Sequence, residues 1–442
     1  MYTPSKKMRL GVIAVSAAFV LAACGGGSDD SDSDGDAAAS EGGSAAGMQL
    51  YFVDGNTTDY SKDFDPGTLE GVKATYPGPE LSSEFQGRLD EQDPNLDSYT
   101  YGPESYDATV VSALAAETAG KDSGKAIAQQ IAAVTTEGEK CTTYADCLEL
   151  VQAGTDIDYD GVSGPIELGA TGSPTAATIG IFEYQNDNTF EPMDYVEGDI
   201  PDTGEVAPDQ EVTGSVPNGD GTFTVGMLLP ASGDLAFLGP PEFAGVELAI
   251  KDINQAGGVL GKPAKSTRAD SGDGTPNIAP QETDKLIRAN SDVIIGAASS
   301  SVSLSVIDKI TKAGVVHFSP ANTSTEFDTY ADGGMYFRTA PSDVLQGQVM
   351  ASTLISDGKT NIAIMARQDS YGEALADNVE KFFTDQGGTV VSKQLYDPNA
   401  ANFNAEIDAM KGEDPDAIVL IAFDETKKII PAMVSAGVGQ GQ

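Results

Sequence analysis

Ala298-Ser299-Ser300-Ser301 stands between a strand-like apolar run, Asp292–Ile295, and a helical pattern that begins at Val302. Backbone N–H groups at such a junction have no intrahelical partner, and the positive end of the helix dipole lies beside them. The segment therefore suits a carboxylate, with the Ser300 hydroxyl as a further donor. It suits plain N-capping of the helix equally well. Ala321 and Thr323 follow the next strand-like run, Val315–Phe318, in the same way, and Asn322 and Thr323 also fit ordinary turn chemistry. Covalent catalysis finds little to use. His317 is the only histidine and lies within an apolar run, where a core role is expected. Ser/His/Asp or Cys/His chemistry would have to rely on it alone, so no enzymatic activity is expected.

The cysteines point to export. Lys6, Lys7 and Arg9 precede an apolar run, Leu10–Ala23. That run is shorter than the ~20 residues of a membrane-spanning helix and fits a signal h-region. It ends in Leu21-Ala22-Ala23-Cys24, which resembles the lipobox of bacterial lipoproteins. The resemblance implies removal of residues 1–23, lipid on Cys24 and a lipid-anchored, extracytoplasmic protein. Residues 24–47, rich in Gly, Ser and Asp, form a flexible tether by composition. Cys141 and Cys147 are then left to pair, since an oxidising compartment favours the disulfide. With no further cysteine a metal site has weak support, and neither metal nor cofactor is expected.

Composition sets the class. The mature 442 − 23 = 419 residues suffice for two or three domains, and 40% hydrophobic content allows sizeable cores. Twenty-five basic residues against 68 acidic ones give a net charge of −43. Such a surface repels nucleic acid and anionic lipid, leaving the anchor as the expected contact with membrane.

Strand and helix patterns alternate from Gly221 onward. Thr222–Leu229 is an apolar strand, followed by a helix from about Pro240 with Phe243, Val246, Ile250 and Ile253 on one face. Asp292–Ile295, Val315–Phe318, Ile362–Met365, Thr389–Val391 and Ala417–Ile421 read as further strands. Helices are expected over Val302–Ala313, Glu373–Asp385, around Phe403–Met410 and over Thr426–Ala436. Repeated β-α-β units of this kind imply α/β lobes with parallel sheets. Near the other end, Leu50–Val53 reads as a strand that would follow the Thr426–Ala436 helix. Helices around Tyr106–Thr118 and Lys125–Val134 come after it, then strands at Ile166–Leu168 and Ile179–Tyr184. Residues 197–220 are acidic, rich in Pro and Gly and without Lys or Arg, a linker by composition.

Particular segments carry a family resemblance. Gly226-Met227-Leu228-Leu229-Pro230-Ala231-Ser232-Gly233, Ala244–Asn254 and Gly257–Gly261 resemble the opening of the leucine/isoleucine/valine-type (type I) periplasmic binding proteins. Gly296–Ser301, Phe318–Thr323 and Asp369-Ser370-Tyr371-Gly372 continue it. Asp54-Gly55, Gly71-Val72-Lys73, Tyr101–Ala108 and Asp158–Gly164 resemble that family's later segments. One complete set is present in rotated order, which implies two Rossmann-like lobes joined by a hinge, in circularly permuted form; a tandem-gene fragment, or half-domains pairing between molecules, would give the same text. Residues 48–196 would supply the family's C-terminal segments to both lobes, 221–340 the N-terminal lobe, and 341–442 the first part of the second lobe. Chain crossings are expected near Thr339–Pro341, Gly71–Pro77 and Thr135–Cys141.

The resemblance also implies a site and a function. Ser300, Ala321 and Thr323 would hold a ligand carboxylate, and Asp54 an ammonium. Tyr101, Tyr371 and Phe423 would line the cleft, with Leu238 at a position often aromatic in the family. The function implied is the solute-binding component of an ABC importer, taking an amino acid or similar small solute and partnering a membrane permease. A ligand-sensing receptor module of the same fold, for an amide, urea or aromatic acid, is the alternative.

Overall fold

The computed structural model describes residues 48–200, 219–274 and 277–439. The signal segment, the tether with Cys24, and residues 201–218 of the expected linker lie outside them.

Two α/β lobes share these residues. One is built on a parallel five-stranded sheet in the order Tyr336–Arg338, Val316–Ser319, Val293–Gly296, Thr224–Leu229, Lys265–Asp270. Val293–Gly296 and Thr224–Leu229 are buried at every position, as central strands with both faces covered by helices must be. Gly102–Ala119 and Gly239–Gln255 pack against one another in this lobe. The small strand group Glu139–Cys141, Ile157–Gly161 and Gly164–Pro165 joins the same apolar core. Cys141 and Cys147 are disulfide-bonded at its edge.

The other lobe holds a seven-stranded sheet, ordered Thr389–Tyr396, Asn361–Arg367, Ala417–Ile421, Gln49–Phe52, Lys73–Pro77, Ala176–Tyr184, Phe190–Asp199. Its first five strands are mutually parallel and its last two antiparallel. Gln49–Phe52 lies parallel to Ala417–Ile421 in the register Gln49–Ala417 to Phe52–Leu420. A strand from the early part of the chain thus completes the sheet that the late part begins.

Three sequence expectations are corrected. Ile166–Leu168 forms no strand; Leu168 makes only an isolated bridge to Pro174. The linker begins later than residue 197, because Phe190–Asp199 is the outermost strand of the seven-stranded sheet. Its acidic residues and Pro192 mask strand character, yet both are tolerated at an edge, where half of the backbone groups face solvent. The crossing placed at Thr135–Cys141 also fails. Thr135 bridges Asp158 and Glu139–Cys141 pairs with Ile157–Tyr159, so this stretch stays in the five-strand lobe. The chain changes lobe instead between Gly164–Pro165 and Ala176–Tyr184, and again after Pro77 and after Arg338.

Candidate functional site

Asp54 and Ser300 follow parallel strands of the two lobes, at the carboxyl ends where ligands bind in open α/β sheets. Asp54 follows the strand Gln49–Phe52 and starts a single 3₁₀ turn, Asp54–Asn56. Asp54 is 3% exposed. Oδ1 accepts from the Tyr371 hydroxyl at 2.6 Å and from Gln346 Nε2 at 3.0 Å; Oδ2 accepts from the Tyr101 hydroxyl at 2.7 Å. Burial raises its pKa, against the lowering influence of these donors. A buried carboxylate in this condition favours a positive partner that would restore its charge. Gly55 cannot carry a side chain here. A Cβ would stand 2.7 Å from the Ala422 carbonyl and 2.8 Å from the Tyr371 hydroxyl.

Two aromatic residues complete this wall. Tyr371, in the first turn of Ser370–Asp385, stacks on Phe423 with centroids 5.3 Å apart. The other face of the wall is supported by Arg367, whose guanidinium lies 3.4 Å from the Phe423 centroid and bonds Asp369 and Glu425. Tyr101 reaches Asp54 from the opposite lobe. It precedes the helix Gly102–Ala119 in left-handed conformation, φ 59°, which costs a side-chain-bearing residue about 1–2 kcal/mol. The hydrogen bond to Asp54 helps to hold that conformation.

The five-strand lobe contributes two loops. Ser299 caps the helix Ser300–Lys312 by accepting from the Val302 N–H at 3.4 Å, so capping is its role. Ser300 Oγ accepts from the Ser324 N–H at 3.4 Å. Ser301 Oγ accepts from the Ser370 N–H at 3.1 Å, a bond between lobes. The N–H groups of Ala321 and Asn322 both point to Ser319 Oγ, so the Ala321 N–H is engaged within its own loop. Asn322 Nδ2 ties the two loops together through the carbonyls of Ala297 and Ala298. Below them, fully buried Arg338 holds the Ser324 carbonyl, Ser173 and Asp328. Thr323 is buried, and its hydroxyl interacts with the Asp343 carboxylate outside the geometry of an ordinary hydrogen bond.

The first turn of the helix Asp343–Ser356 joins the two halves, and sequence reasoning missed it. Asp343 donates its N–H to the Thr323 carbonyl at 2.7 Å, while Gln346 reaches Asp54. Gln346 Oε1 is buried without a partner among the described residues, and the Asp343 carboxylate, also buried, has only that contact with the Thr323 hydroxyl. Burial, followed by the Asp54 charge, raises the Asp343 pKa well above its ordinary value. The available signal was Ser342 before an acidic first turn, a common helix start. Glu242 was missed as well. It lies one turn beyond Leu238, fully buried, and burial, then the Glu104 charge, holds its pKa well above the ordinary range.

All eight residues singled out from the sequence are buried: Asp54, Tyr101, Leu238, Ser300, Ala321, Thr323, Tyr371 and Phe423. Tyr101, Leu238, Ala321, Tyr371 and Phe423 share one apolar cluster that spans the lobes. Asp54 joins it through its tyrosine donors, and Ser300 and Thr323 belong to the loops that carry its members Ala298 and Ala321. His317 stands apart, packed edge-on against Tyr336 at 5.2 Å and pushed down to about 3 by burial, hence neutral. Among the described residues no group of three His, Cys, Asp or Glu is placed to hold a metal ion. No described helix is long and apolar enough to cross a membrane.

Two hinged α/β lobes with buried polar groups between their strand ends define a class of proteins built to enclose a small ligand. The chain belongs to the periplasmic binding protein family, whose model matches residues 222–442. It has the type I fold of that family. A Leu/Ile/Val-binding protein homolog from Brucella melitensis is 27% identical over 197 residues, covering 44% of this chain and 53% of the relative. The leucine-, isoleucine-, valine-, threonine-, and alanine-binding protein of Pseudomonas aeruginosa is 28% identical over 191 residues, 43% of this chain and 51% of that one. A crystal structure of a periplasmic binding protein from Burkholderia mallei aligns with a TM-score of 0.45 at 19% identity, over 50% of this chain and 58% of that chain. The chain spans about half the length of the curated relatives it matches.

Proposed function

We propose that this protein is the solute-binding component of an ABC importer, lipid-anchored at Cys24 outside the cytoplasm, and that it delivers an amino acid or similar carboxylate-bearing solute to a membrane permease. Lobe closure around the solute would commit it. The observation that carries this reading is the network joining buried Asp54 to Tyr371 and Gln346 in its own lobe and to Tyr101 in the other. In this reading Asp54 receives the ligand ammonium. Ser300, Ala321 and Thr323 receive its carboxylate, and Tyr101, Tyr371, Phe423 and Leu238 shape the side-chain space. Relatives with Leu/Ile/Val-binding names support an amino-acid class. We also read the segment order as a circular permutation, supported by the pairing of Gln49–Phe52 with Ala417–Ile421.

A thermal-shift screen of amino acids, urea, amides and aromatic acids identifies the ligand, since binding to the native state raises its stability. Calorimetry then compares the wild type with Asp54→Ala and Thr323→Val. For an amino acid, Asp54→Ala should cost roughly 2–5 kcal/mol, the range for losing one partner of a buried charge pair. A ligand without an amine should be little affected. Unchanged amino-acid affinity in both variants removes the site. Mass spectrometry of the exported protein checks the anchor, and an unmodified Cys24 thiol would reject it.

A further inference from the structure

A separate cavity of about 290 Å³ lies beside the crossing segment that follows the strand Lys73–Pro77. Of the cleft residues described above, only Tyr101 lines it. One wall is aromatic and comes from three neighbouring strands of the seven-stranded sheet. Tyr76 and Phe182 stack at 4.4 Å, Phe190 meets Phe182 edge-on at 5.5 Å, and Tyr195 meets it edge-on at 6.1 Å. The facing wall is the stretch Asp97–Glu104 of the other lobe.

The charged lining has one sign. Glu80, Asp97 and Glu104 border the cavity, and among the described residues no Lys, Arg or His does. Glu80 and Asp97 are exposed and cost little by themselves. Glu104 differs, being 5% exposed. Among the described residues no other residue donates a hydrogen bond to its carboxylate, and burial, then the Asp107 charge, pushes it up to about 8. An anion would meet the Glu80 and Asp97 carboxylates and disfavour ionisation of Glu104 further. A neutral solute would leave Glu104 desolvated and unpaired, at the usual penalty for a buried polar group. A cation answers both features, because aromatic rings attract positive charge through their quadrupole and a positive neighbour restores the ionised form of a buried carboxyl group. The size, near the lower end of the ~300–1,000 Å³ typical of ligand pockets, suits a small molecule.

We propose that this cavity is a second ligand site, for a small organic cation of the quaternary or protonated amine type, bound between the Tyr76–Phe182–Tyr195 aromatic wall and the Glu104 carboxylate. The site is distinct from the cleft and shares only Tyr101 with it.

Calorimetric titration of the full chain with choline, and with its uncharged isostere 3,3-dimethylbutan-1-ol, tests it. Choline should bind saturably and the alcohol about tenfold more weakly or worse, the difference a desolvated cation–π contact makes. Glu104→Gln and Tyr195→Leu should each weaken choline about tenfold. Tyr195 is partly exposed on the edge strand Phe190–Asp199, so that variant should retain the fold, as a thermal melt would check. No saturable choline binding would overturn the proposal, as would equal binding of the alcohol. Choline binding that survives both substitutions places the cation elsewhere and also overturns it.

Discussion

Replacing Glu104 by Gln should stabilise the protein at neutral pH, by an amount the structure sets. Glu104 lies in the first turn of the helix Gly102–Ala119, and burial with the Asp107 charge raises it from an ordinary 4.5 to about 8. The folded state therefore holds this proton more tightly than the unfolded chain. Its stabilising contribution is complete below about pH 4.5 and is lost as pH rises through about 8. Between those limits the unfolded chain releases the proton while the folded state retains it, at about 1.4 kcal/mol per pH unit. The loss reaches about 3 kcal/mol at pH 7. Gln has nearly the same shape and cannot ionise, so it escapes this loss. Thermal unfolding of both proteins from pH 5 to pH 8 should give curves within about 1 kcal/mol at pH 5 that separate to about 3 kcal/mol at pH 7. The raised acids Asp54 and Asp343 contribute slopes to both proteins, and these cancel in the difference. A variant no more stable than wild type at pH 7, or a gap that does not change with pH, would refute the reasoning.

Other consequences are equally direct. Arg338→Met would leave Asp328 without its buried partner and free the Ser324 carbonyl, at a cost of about 3–5 kcal/mol readable as a lower urea midpoint. A loss below about 1 kcal/mol would mean that the pair does not hold the Thr323 loop. Replacing Cys141 and Cys147 by Ser removes a bridge between residues 6 apart in sequence, worth about 2 kcal/mol in chain entropy. Oxidised wild-type protein that reacts fully with a thiol reagent would contradict the bridge. A reordered gene placing residues 219–439 ahead of 48–200 should yield a cooperatively melting protein with the same far-UV spectrum, because Gln49–Phe52 pairs with Ala417–Ile421 in either order. A chain that stays unfolded after reordering would count against permutation.

Local pattern in the sequence carried much of the architecture. Val293–Gly296 and Ala417–Ile421 are uninterrupted apolar runs, and a run buried on both faces has few options besides a central parallel strand. The same logic paired Leu50–Val53 with Ala417–Ile421 across most of the chain length, since a crossover helix needs a strand to return to. His317 was legible as core from its apolar neighbours, and the Cys141–Cys147 pair from cysteine number and compartment.

What escaped the sequence depends on distant partners. Phe190–Asp199 is polar, acidic and interrupted by Pro192, and only a neighbour, Ala176–Tyr184, makes it a strand. The expected crossing at Thr135–Cys141 failed because a chain switches lobe wherever its next strand finds a pairing edge, which residue type does not announce. Asp343, Gln346, Glu104 and Glu242 are four among many polar residues that pattern would leave in water. The tertiary structure buries them, and burial is what raises the carboxyl groups of Asp343, Glu104 and Glu242. Apolar periodicity is a property of the local chain and can be read from it. Desolvation is a property of everything packed around a group, so only the folded molecule decides which acids become a site.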